Sequence, residues 1–260
     1  MTLIIAIKCT DGIVLAADGA TTFGSLGTRT IRQPSRKLTV VNDRMIVGVS
    51  GPVGLQQRFV GELTAIAPGA QAKRHQIMAL LAGAIRTPMR AEYEMLQGVQ
   101  GSLGQVALSS VLTSTVIAIM IDGEPTLIQF DQQGSPECAT DDLRFVSIGS
   151  GQPLADPFLA FLRRIFWSSK PPTLSDGIFA ATWTLNHAIA TNPGGVDDPI
   201  QVITLCRGRA NNCDIRELES TELDEHREAI RLAEDRLATF REALTTTSGG
   251  ADSEIPSPKV

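Results

Sequence analysis

The sequence predicts an α+β fold: a four-layer αββα sandwich carrying an added C-terminal helix. Two observations lead there. Strand-forming blocks alternate with pairs of helical patterns, in the order strands, two helices, strands, two helices, strands. A βαβ parallel sheet interleaves single strands and helices, so two antiparallel sheets packed face to face, with helix pairs outside, fit this order better. The opening strand pair also recurs. An apolar run, an Asp-Gly turn and a returning apolar run at Thr2–Asp18 come again at Thr115–Asp131. These runs are nearly continuous rather than alternating, as in strands covered on both faces.

The elements follow in order. Leu3–Lys8 and Ile13–Ala17 flank Asp11-Gly12 and form a hairpin. Residues 19–36, rich in Gly, Thr, Ser and Arg, are expected to form an irregular excursion. Lys37–Val41 and Met45–Val49 make a second strand pair turning at Asn42-Asp43. Ser50-Gly51-Pro52 then switches strand to helix, with Ser50 or Gly51 near the cap and proline tolerated in the first turn. A helix over 53–67 places Leu55, Phe59, Leu63 and Ile66 at helical spacing. A second over 73–96 carries Ile77, Leu80, Leu81, Ala84 and Ile85 on one stripe, with a kink or break expected at Pro88. Gly98–Gly104 reads as a loop. After the second hairpin come a short strand at 144–148, helices at 153–167 and 174–190, and strands at 200–206 and 212–218.

The chain divides into a main domain over 1–218, an amphipathic helix over 219–244 and a tail over 245–260 whose Thr, Ser, Gly and Pro content predicts disorder. Leu223, Ile230, Leu237 and Leu244 recur at sevens, a narrow seam that suits docking on the same domain or pairing with another chain equally well.

Composition narrows the function classes. A net charge of -5 without a basic cluster argues against nucleic-acid binding. No run reaches the length of a membrane helix, and the apolar stretch 3–7, cut by Lys8, is too short for a signal peptide; a cytoplasmic address is expected. Cys9, Cys138, Cys206 and Cys213 form no CxxC pair or common zinc spacing and read as free thiols. Neither HExxH nor an EF-hand loop occurs, and Gly98–Gly104 matches no phosphate-binding motif, so no metal or cofactor is expected. Of the three histidines, His75 and His226 lie in polar stretches. His187 reads as a packing residue, and G-x-S-x-G is absent.

The chemistry lies at the start. Cleavage after Met1 would give Thr2 a hydroxyl and a free α-amine on one residue, a nucleophile with its own base. The hairpin returns the Asp18 carboxylate toward that terminus.

Met1-Thr2, the hairpin ending in Asp18, Ser35-Arg36-Lys37 and Gly48–Gly51 together resemble the β-type proteasome subunits. That family includes the bacterial HslV peptidase, and the likeness is greatest to proteobacterial proteasome homologues. It spans roughly 2–215 and implies the N-terminal nucleophile hydrolase fold. By resemblance Thr2 is the nucleophile, Asp18 and Lys37 keep the family's intervals, and Gly51 supplies the oxyanion N–H. Ser150, in Ile148-Gly149-Ser150-Gly151, orders the terminal amine. One departure stands out: the family aspartate that buttresses this amine aligns with Asn186, which can hydrogen-bond but carries no charge. The resemblance further implies that Thr21, Thr22 and Val49 line the cleft, and that residues 22–24 and 50–52 pair with an extended peptide. It also implies stacked homo-oligomeric rings around a peptide or unfolded-protein substrate, and names no unfoldase. The expected activity is that of a threonine-type endopeptidase. The alternative is a ring-forming scaffold with little or no turnover, and a small-amide hydrolase of the same superfold is a third possibility.

Overall fold

Two five-stranded antiparallel sheets face one another in the computed structural model, which describes residues 2–25, 28–66, 73–103, 112–192, 195–209 and 213–247. The first sheet contains β1 (Ile4–Lys8), β2 (Gly12–Ala17), β10 (Phe145–Ile148), β11 (Gln201–Arg207) and β12 (Cys213–Glu217), in the order β10-β1-β2-β11-β12. The second runs β5 (Leu38–Val41), β6 (Met45–Ser50), β7 (Ser114–Ile121), β8 (Glu124–Phe130) and β9 (Pro136–Cys138) in sequence order. Helices α1 (Val53–Ala65) and α2 (Arg74–Leu103) cover the second sheet, and α3 (Gln152–Phe166) and α4 (Leu174–Thr191) cover the first.

Side-chain alternation along each strand explains the continuous apolar runs. Ile4, Ala6, Ile13 and Leu15 point into the inter-sheet core, against Leu38, Ile46, Val116 and Leu127. Their neighbours Ile5, Ile7, Val14 and Ala16 meet Leu159, Leu162 and Leu185 of the outer helices. On the opposite side Val47, Val49 and Ile117 pack on Phe59, Leu63 and Leu81. The tight turns have the left-handed backbone that two-residue hairpins need: φ is 53° and 49° at Asn42 and Asp43, and 54° and 74° at Asp122 and Gly123.

Several expectations are corrected. Residues 19–36 are not an irregular excursion. Within them β3 (Ala20–Ser25) and β4 (Thr28–Pro34) form a separate two-stranded antiparallel ribbon, with an irregularity between Phe23 and Gly24. The relevant signal was β propensity, in Thr21, Thr22, Thr28, Thr30 and Ile31, rather than apolar periodicity. Gly98–Gly104 is not a loop as far as it is described, because α2 continues to Leu103. Each helical glycine costs only about 1 kcal/mol relative to alanine, which propagation from the preceding turns overcomes. Pro88 lies buried inside α2 without ending it. Leu80 leaves the expected stripe and is exposed, while Ile77, Leu81, Ala84 and Ile85 are buried. The N-cap of α1 is Pro52, in extended conformation and without a side-chain cap, not Ser50 or Gly51.

The C-terminal helix α5 (Ser220–Thr247) is longer than expected and changes character along its length. Leu223 and Ile230 are buried against the α3–α4 layer, and Trp183 Nε1 donates to Glu234 Oε1 at 2.8 Å. Leu237 and Leu244, the other half of the seam, are exposed. Most of the expected tail, 248–260, lies outside the described residues. Among the described residues no helix is long and apolar enough to cross a membrane.

Candidate active site

The β1–β2 register brings the two ends of the opening hairpin together. Ile4 pairs with Ala17, so the residues just outside the pair, Leu3 and Asp18, are held side by side. Asp18 is fully buried, and its carboxylate accepts three hydrogen bonds. Leu3 N–H reaches Oδ1 at 2.8 Å, Ala20 N–H reaches Oδ2 at 3.2 Å and Lys37 Nζ reaches Oδ1 at 2.6 Å. Lys37 stands immediately before β5 and is only 4% exposed, so the ion pair joins the two sheets at their common end. Burial pulls the Lys37 ammonium below the ordinary lysine value, and the Asp18 charge and hydrogen bond oppose that pull.

Thr2 is fixed from the other side by the turn between β10 and α3. Its N–H donates to Ser150 Oγ at 3.0 Å, and its carbonyl accepts from Gly151 N–H at 3.0 Å. Gly149 makes this close approach possible: it has φ +101°, and a Cβ there would run into the Thr2 carbonyl. Gly51, between β6 and α1, has φ +146°, and a Cβ there would lie 2.5 Å from Thr113 Cγ2. That position tolerates only glycine.

Thr2, Lys37, Gly51 and Ser150 line a single open cleft of about 750 Å³, together with Thr21 and Val49. Asp18 lies beneath it. The structure thus gathers the expected nucleophile, ammonium, oxyanion-side glycine, amine-side hydroxyl and two of the three expected substrate-contacting residues. Thr22 is in β3, and its side chain lies outside the described residues. Asn186 is half-buried on α4. It does not line the cleft, and among the described residues no hydrogen bond joins it to Thr2 or Ser150. His187 stacks on Phe158 with centroids 4.4 Å apart, in line with a packing residue.

Sequence reasoning missed several contributors. Ser35 lines the cleft, shares a short hydrogen bond with Thr21 and donates its N–H to Gly19 at 2.8 Å. Arg36 also lines the cleft, as does Ser50 of the 50–52 segment expected to meet peptide. Arg36 pairs with Glu217 from the far end of the chain. The Ser35-Arg36-Lys37 run carries the family resemblance, which implies a role for the lysine alone. Long-range partners such as Glu217 and Gln201 leave no local signal.

A model of the family described as "Proteasome subunit" matches residues 2–189. No curated protein matches the chain in sequence. Among solved structures, it is similar to a Gly-1 mutant of Anbu from Hyphomicrobium sp. strain MC1, with 17% identity and TM-score 0.65 over 93% of this chain and 100% of that one. Anbu (ancestral beta-subunit) from Yersinia bercovieri gives 16% identity and TM-score 0.61, covering 97% and 99% of the two chains. The helical assembly of the Anbu complex from Pseudomonas aeruginosa gives 18% identity and TM-score 0.66 over 99% and 98%. At these identities the structural likeness establishes the fold.

Proposed function

Because this chain belongs to the proteasome subunit family, we propose that it is a threonine-type endopeptidase subunit that acts within a homo-oligomeric ring once Met1 is removed. The observation that carries this reading is the Asp18–Lys37 ion pair, buried at the base of a cleft whose wall is Thr2.

The chemistry follows from the residues present. With the Met1–Thr2 bond cut, the Thr2 nitrogen becomes an amine whose unperturbed pKa is about 7.7–8.0. The neighbouring Lys37 ammonium favours its neutral form. Thr2 Oγ attacks the substrate carbonyl carbon and its proton passes to the amine, directly or through one water. The Gly51 N–H faces the developing oxyanion, a donor whose loss in other hydrolases costs about 10²–10³ in rate. Collapse expels the leaving amine, which takes the proton, and water then hydrolyses the Thr2 ester and regenerates the hydroxyl. Ser150, already 3.0 Å from the Thr2 nitrogen, orients the amine throughout. Val49 supplies an apolar wall for the side chain preceding the cleaved bond, and residues 22–24 of β3 and 50–52 at the end of β6 offer backbone groups to an extended peptide.

The similar structure from Pseudomonas aeruginosa bears the description of a helical assembly. Its likeness supports self-association of this chain, and enclosure of the cleft by copies of itself would exclude folded substrates. A second reading, a ring-forming scaffold with little turnover, is favoured by one observation: Asn186 supplies neither charge nor a hydrogen bond to the Thr2–Ser150 pair.

The deciding experiment is intact mass of the purified protein before and after a threonine-directed acylating probe. Loss of Met1, a single adduct and its disappearance in Thr2→Ala support the peptidase. A processed chain that takes no adduct favours the scaffold.

A further inference from the structure

Lys37 is flanked on both sides by residues tied to the opposite sheet. Leu38, which follows it, gives both of its backbone groups to the side chain of Gln201. Leu38 N–H donates to Gln201 Oε1 at 3.1 Å, and Gln201 Nε2 donates to the Leu38 carbonyl at 3.2 Å. Arg36, which precedes Lys37, is ion-paired to Glu217, and Gln201 Nε2 also donates to Glu217 Oε1 at 3.3 Å. Gln201 is 8% exposed, so its amide has been withdrawn from water in exchange for these partners. Its own backbone sits opposite Ala17, the residue before Asp18. One residue therefore adjoins both members of the buried ion pair: through its backbone the aspartate end of β2, and through its side chain the lysine end of β5.

We propose that Gln201, supported by Glu217, is a positioning residue for the peptidase reaction, fixing Lys37 against Asp18 and hence at its working distance from the Thr2 amine. Neither residue lines the cleft or touches the reacting atoms. A sheet-to-sheet clamp matters here because β5 is at the edge of its sheet, with β6 as its one strand neighbour among the described residues. Leu38 is the first residue of β5 in register with β6, opposite Gly48, so Arg36 and Lys37 stand just beyond that pairing. A bidentate amide fixes them with directional bonds that apolar contact cannot provide.

The proposal rests on the peptidase reading, and its test separates the two. The processed full chain is compared with Gln201→Met, which keeps the volume and removes the amide, and with Glu217→Gln, a milder change at a half-exposed site. The rate of acylation by a threonine-directed probe is followed against pH. A loosened Lys37 no longer depresses the Thr2 amine, so the rate midpoint should move up by about one unit in Gln201→Met, and by less in Glu217→Gln. The alkaline plateau should be largely retained. A role confined to stability lowers the plateau and leaves both midpoints unmoved, and that result overturns the proposal. If Gln201→Met does not fold, the Glu217→Gln midpoint alone decides. If the wild-type chain takes no label, the peptidase reading fails by itself. The clamp is then read from the titration of isotope-labelled Lys37 by NMR: a midpoint displaced in the variants sustains it, and an identical midpoint overturns it.

Discussion

Asp18 and Lys37 illustrate how unequal the two halves of a buried ion pair can be. Asp18 keeps two backbone donors if the lysine is lost, whereas the charge balance of the pocket does not survive. Removing one partner of such a pair typically costs about 3–5 kcal/mol, while replacing both is far milder. Urea unfolding should therefore show Lys37→Met strongly destabilised and the Asp18→Asn, Lys37→Met double variant recovering much of the loss. The pH dependence has a definite sign. Because the folded-state lysine titrates below its unfolded value, the unfolded chain holds more protons between the two values, and stability there rises with pH. The wild type should gain on Lys37→Met across that alkaline window; a constant difference would show that burial does not control this ammonium. At Gly51, alanine meets both a forbidden φ and Thr113, so Gly51→Ala should abolish acylation. Retained acylation in that variant would remove Gly51 from the site.

At the scale of elements, α4 is anchored at its start from two sides. Thr173 and Asp176 form a reciprocal capping box, and Asp11 of the opening turn accepts Leu174 N–H at 2.7 Å. Thr173→Ala should cost about 1 kcal/mol, read as a lowered Tm. Much of the architecture was legible because the rules behind it are local. Asp11-Gly12, Asn42-Asp43 and Asp122-Gly123 mark tight turns, and the unbroken apolar runs between them require cover on both faces. The candidate site was legible through the resemblance to the proteasome subunits, whose motif intervals nominate Thr2, Asp18, Lys37, Gly51 and Ser150; four of these line one cleft and Asp18 pairs with Lys37 beneath it. Other features were hidden for physical reasons. The β3–β4 ribbon lacks an apolar stripe, and the glycines of α2 look like loop residues until the length of helix behind them is known. The ties from Arg36 to Glu217 and from Leu38 to Gln201 join residues far apart in the chain.

For the molecule as a whole, α5 is two objects in one helix. Its first half belongs to the core: Ile230→Ala should cost about 2–4 kcal/mol in unfolding experiments. Its second half presents Leu237, Phe240 and Leu244 to solvent, and Leu237→Ala should leave the stability of the isolated chain within about 0.5 kcal/mol of the wild type. Equal losses at the two positions would mean that the distal half is packed after all. At the other end of the chain, the hold of Gly151 N–H on the Thr2 carbonyl, which Gly149 leaves room for, has a consequence for the order of events. Thr2 is seated with its nitrogen on Ser150 and its carbonyl on Gly151 N–H, contacts that do not depend on a free amine. If severing the Met1–Thr2 bond arms the subunit, no rearrangement has to follow it. Folding would then set no clock for the onset of proteolysis. The timing would belong to the step that frees the Thr2 amine.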